Sequence, residues 1–122
     1  MGIKITDYFP DKWVVIKISI PEESIYKVFG SWIGGYLSGD SWRMNSGIES
    51  VSLNEDLILF KGFSGSIYHC HKDSYGTTAF SGGVLLNMID KTNGSIVILD
   101  ENTNWLNLDL GAANKNGTTL SL

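Results

Sequence analysis

The chain has few of the side chains that most often carry chemistry. Its 122 residues include one cysteine, two histidines and a single arginine, Arg43. The lone Cys70 excludes an internal disulfide and leaves no Cys-x-x-Cys pair for zinc or redox work, which suits a reducing compartment. No apolar run approaches membrane-spanning length. Met1 to Asp11 is polar and acidic rather than a charged start followed by an apolar core, so the expected location is the cytoplasm. Neither Gly-x-x-x-x-Gly-Lys-Ser/Thr nor Gly-x-Ser-x-Gly occurs, which leaves P-loop and serine-hydrolase readings without an anchor and implies no cofactor.

Positive charge is also scarce. Nine basic residues stand against thirteen acidic ones, a net charge of -4, and the basic residues are scattered, so no stripe exists to neutralise the phosphates of duplex nucleic acid. What is present is ordinary globular material: 43% hydrophobic and 18% charged residues in a length that one domain can fill without a structural metal.

Lys12 to Ile20 is rich in β-branched residues and stops at Pro21-Glu22-Glu23, a strand and turn that lead into a second strand, Ile25 to Trp32. Ile48 to Leu53 and Leu57 to Phe63 form a second hairpin across Asn54-Glu55-Asp56. Ser66 to Lys72 is a fifth strand and Ser95 to Leu99 another. Trp105 to Leu110 alternates as an edge strand would. Between the hairpins, Ile33 to Gly47 mixes four glycines and three serines, as a functional loop or as cover for a short strand at Gly35 to Leu37 or Trp42 to Met44.

Phe80, Val84 and Met88, with Leu85 and Ile89 beside them, repeat at helical spacing and predict one apolar helix face. Thr77, Thr78 or Ser81 starts the helix, and Thr92-Asn93-Gly94 stops it. The expectation is an α+β fold in one domain, 1–122: a mainly antiparallel, curled β-sheet of about six strands with one helix, about 78–91, packed on one face. Residues 111–122 read as a loosely held tail.

Chemistry concentrates in two segments. In Tyr68-His69-Cys70-His71-Lys72 the strand period sends both histidines to one face and Tyr68 and Cys70 to the other. Two imidazoles spaced in this way can reach one metal ion, but no third ligand is identified, and zinc sites normally use three or four. Cys70 turns away from its neighbouring imidazoles and reads as core.

The strand-to-helix junction is the better-supported constellation, because the free N–H groups of a helix start favour an anion. There Thr77 and Thr78, with Lys72, His69, His71 and Tyr75, could line an anion site. The second segment adds Arg43 beside Trp42 and Asn45-Ser46: a planar cation, an aromatic ring and an amide, suited to a nucleobase and its phosphate. The competing reading is that these aromatics simply pack, as aromatics usually do.

Residues 32–48 and 65–76 together resemble small, uncharacterised accessory proteins of tailed bacteriophages. That resemblance implies a viral protein acting in a bacterial cytoplasm, with no catalytic residues to carry over, and raises counter-defence by sequestering a nucleotide signal. The functional expectation is a non-enzymatic binding protein for a small anionic, nucleotide-like ligand, with a pocket that a homo-oligomer could complete at a subunit boundary. Two alternatives are an interaction module that inhibits a host protein and a metal-dependent hydrolase using His69 and His71.

Overall fold

The computed structural model describes residues 7–34 and 40–110. In chain order the elements are β1 (Asp7–Tyr8), β2 (Lys12–Ile20), β3 (Glu23–Trp32), β4 (Ser41–Met44), β5 (Ile48–Asn54), β6 (Leu57–Gly62), β7 (Ile67–His71), a 3-10 turn (Lys72–Ser74), α1 (Ala79–Lys91), β8 (Ile96–Ile98) and a second 3-10 turn (Trp105–Asn107). The α+β class with mainly antiparallel pairing and one helix stands. The strands form two four-stranded sheets, β1-β7-β6-β5 and β4-β3-β2-β8, and only β1 runs parallel to its neighbour.

The long apolar run of β2 exists because both faces of that strand are covered. Trp13 and Val15 point toward the first sheet and join a core with Val28, Ile48, Ile58, Phe60, Tyr68, Cys70 and Trp105. Val14 and Ile16 point the other way, into a second core with Phe29 and Leu85 of α1. The order of layers is therefore helix, sheet, sheet. Strands β6 and β7 have only one covered face, so their burial alternates: Ile58, Phe60, Tyr68 and Cys70 are buried while Lys61 and His71 are exposed.

The two hairpins turn where the sequence places them. Each has a non-glycine residue at positive φ, Glu22 at 76° and Glu55 at 57°, the left-handed conformation that a tight two-residue turn demands. The chain crosses from one sheet to the other between β4 and β5. Gly47 sits there at φ 134°, and a Cβ at that position would lie 2.9 Å from the Phe63 ring.

Thr78 is the N-cap of α1. Its hydroxyl accepts from Ser81 N–H and the Ser81 hydroxyl accepts from Thr78 N–H, both at 3.0 Å, a reciprocal capping box. The inward side of α1 is Ser81 and Leu85, with Met88 and Ile89 packed beside them. Phe80, expected on this face, is 52% exposed: it is one residue before Ser81 and turns about 100° away. Trp105 to Leu110, read as an edge strand, instead begins with the 3-10 turn that buries Trp105 against Phe60 and Trp13. The expected tail, 111–122, and the possible strand at Gly35 to Leu37 lie outside the described residues.

No helix among the described residues is long and apolar enough to cross a membrane.

Candidate functional site

The strand-to-helix junction uses most of its polar groups internally. The Tyr75 hydroxyl accepts from Val15 N–H at 3.1 Å and donates to Leu99 C=O at 2.6 Å, so it ties β2 to the chain after β8. Burial pushes that phenol up to about 12. The Lys72 ammonium lies 3.5 Å from the Asp56 carboxylate. Thr78 is committed to the helix cap, and Thr77 packs its hydroxyl where a Cβ on Gly82 would come within 2.8 Å. The Ser81 hydroxyl also meets Ser31 Oγ at 2.7 Å in a buried contact.

His69 and His71 share the outer face of the first sheet, as alternation requires. His71 Nδ1 accepts from Asp73 N–H at 3.1 Å, while the His71 carbonyl accepts from Trp13 Nε1 at 2.7 Å. His69 Nε2 lies 3.1 Å from Asp7 Oδ1, and its ring stacks on Phe9 with centroids 4.4 Å apart. No group of three His, Cys, Asp or Glu side chains that could hold a metal ion occurs among the described residues. Cys70 is fully buried beside Tyr68, and burial pushes its thiol up, away from the reactive thiolate.

The arginine segment divides in the same way. Trp42 stacks on Phe29 at 5.2 Å, on the side of the sheet that carries α1. Asn45 is buried, and its Oδ1 accepts from Val28 N–H at 2.9 Å, extending the β3–β4 ladder by one side chain. The Ser46 hydroxyl accepts from Ser64 N–H at 3.0 Å and fixes the corner between sheets. Arg43 turns outward. Its guanidinium carbon lies 4.9 Å from the centroid of the Tyr8 ring, and it forms no ion pair among the described residues.

Arg43 and His69 therefore meet neighbouring residues of one short segment. On β1 and the residue after it, Tyr8 faces one way and Asp7 and Phe9 the other. Arg43 covers Tyr8, while His69 engages Asp7 and Phe9. Tyr8 also packs against Tyr68 at 5.0 Å and edge-on to Trp32 at 6.4 Å, and Trp32 Nε1 donates to the Phe9 carbonyl at 3.1 Å. Phe9 is 60% exposed.

Two aromatic contacts therefore flank the short edge strand β1: Arg43 and Trp32 lie against Tyr8 on its inner side, toward β4, and His69 stacks on Phe9 on its outer side. Tyr8 and Phe9 were not among the sequence candidates. The signal that points to them is an aromatic pair set between Asp7 and Pro10 in a segment otherwise read only for its polarity. Trp42, Asn45 and Ser46 do not join these contacts, and neither do Lys72, Tyr75, Thr77 or Thr78. The described residues enclose no pocket.

No protein-family profile, curated protein or solved structure matches this chain.

Proposed function

We propose that this chain is a non-enzymatic interaction module that docks a partner protein over the β1 edge, with Tyr8, Trp32 and Arg43 on the inner side of that strand and Phe9 and His69 on the outer side. The observation that carries this reading is the Arg43 guanidinium held over the Tyr8 ring with no carboxylate partner among the described residues. Tyrosine, tryptophan and arginine are the residues that dominate binding energy at protein interfaces. Here Arg43, Tyr8 and Trp32 meet at one sheet edge, the arginine exposed and the two rings half-buried, and the exposed Phe9 lies on the other side of β1. The resemblance to phage accessory proteins makes a protein of the bacterial cytoplasm the natural partner, and inhibition of it the natural consequence.

A second reading keeps the small anionic, nucleotide-like ligand, and the same Arg43 favours it: a guanidinium free of carboxylates can take a phosphate while Tyr8 or Phe9 stacks a base. The two readings separate in one pair of measurements. Capture from bacterial lysate should recover a defined protein with the wild-type chain and lose it with the Phe9→Ala, Arg43→Ala double variant. Native mass spectrometry of the chain purified from the same cells should show no retained nucleotide. Equal capture by both chains contradicts the docking surface, and a retained nucleotide that Arg43→Ala releases establishes the second reading instead.

A further inference from the structure

The outward face of α1 has almost no charge. The helix reads AFSGGVLLNMIDK, and its only ionic residues are Asp90 and Lys91, at its last turn. At about 100° per residue, Ala79, Gly83, Asn87 and Asp90 lie opposite the buried Ser81–Leu85 side, with Phe80 and Leu86 flanking them. Phe80 and Leu86 are 52% and 62% exposed, and a Cβ on Gly83 would touch nothing within 4 Å. A surface helix ordinarily turns a charged face to water. This one presents two large apolar side chains across a flat, small-residue strip.

We propose that this face is a self-association surface on which a second copy of the chain lays its own α1 antiparallel. Charge complementarity favours a second copy. The first turn of α1 contains no acidic residue, so its partially positive N-terminal end has no carboxylate of its own nearby in the helix. Asp90 stands on the outward strip at the opposite end and forms no ion pair among the described residues. An antiparallel copy brings each Asp90 to the N-terminal end of the other helix. A two-fold axis makes the contact twice, as an isologous dimer requires. Asp90 is the one charge on the strip, with Lys91 about 100° further round the helix, so little of the chain's net charge of -4 lies where the copies meet. The dimer leaves both Arg43–Tyr8 surfaces facing away, because α1 covers the side of its sheet remote from β1.

Sedimentation equilibrium of the full chain over a concentration series tests this directly. The wild type should pass from monomer to dimer with rising concentration. Leu86→Glu and Phe80→Glu should stay monomeric, and Leu86→Glu, at the more exposed position, should keep the melting temperature of the wild type at the dilute end of the series. Asp90→Asn should weaken the dimer by about 3- to 30-fold, the effect of losing two helix-end charge contacts of about 0.3–1 kcal/mol each. A wild type that remains monomeric throughout, or a dimer indifferent to Leu86→Glu, overturns the proposal. A dimer that Leu86→Glu dissolves but Asp90→Asn leaves unchanged overturns the antiparallel arrangement.

Discussion

Two aromatic assemblies lie within this small fold, and they differ in what becomes of their polar atoms. Around Trp13, the rings of Phe60, Tyr75 and Trp105 approach within 4.7–5.4 Å, and the indole N–H and the Tyr75 hydroxyl both end on backbone partners. Around Tyr8, the Tyr68 ring lies at 5.0 Å and the Trp32 ring at 6.4 Å, and the assembly ends in an exposed Phe9 and an outward arginine. The first assembly is closed chemically and sterically, so its role is stability. The second keeps a cation and an exposed ring in water, where the proposed partner would meet them. Aromatic content alone does not distinguish the two; the partners of the polar tips do.

Replacing Trp13 should expose the contrast most strongly. Trp13→Ala removes the centre of the closed assembly and should cost about 3–5 kcal/mol in equilibrium urea unfolding. If that variant does not fold, Trp13→Phe keeps most of the ring volume, leaves the His71 carbonyl unpaired, and should cost about 1–3 kcal/mol.

Alkaline pH probes the same region without mutation. Burial raises Tyr75 to about 12, above the unfolded value of about 10. The folded chain therefore holds this proton more tightly than the unfolded chain. Its contribution to stability is fully present below pH about 10 and is lost as the pH rises toward about 12. Thermal melts should shift downward across that window, and the tyrosine absorbance change should accompany unfolding. A Tyr75 phenol that titrates freely near pH 10 in the folded state would contradict the closed description.

Smaller again is Tyr75→Phe, which removes one donor and one acceptor from a part-buried pair of hydrogen bonds and should cost about 1–3 kcal/mol. At the open assembly, Arg43→Ala and Phe9→Ala should change stability by no more than about 0.5 kcal/mol, as surface substitutions usually do. A loss comparable with Tyr75→Phe would mean that this surface too is built for stability.

The local elements were readable from sequence because their signals are local. The β-branched run of β2, the polar turns after Ile20 and Asn54, and the four-residue repeat of α1 each lie within a short window. The division of the strands into two sheets has no such signature, because it depends on pairings such as Asp7 with Ile67, far apart in the chain. Strand β1 is two residues long and leaves no period to detect. Trp105 reads as part of an alternating strand until its neighbours show it buried in a 3-10 turn.

The candidate site was legible only in part, for a related reason. Arg43 and His69 are notable residue types in sequence, and both reach the β1 edge, from its two sides. Trp42, Asn45, Thr78 and Tyr75 are equally notable, but hydrogen bonds and stacking commit them to the fold, and a single sequence does not record those partners.

The most direct test of the docking surface is hydrogen–deuterium exchange of the full chain with and without the captured bacterial partner. Added protection is expected over residues 7–9 and 41–44, with little change over 72–78. Protection confined to 72–78, with 7–9 and 41–44 exchanging as in the free chain, would contradict it and return the site to the strand-to-helix junction.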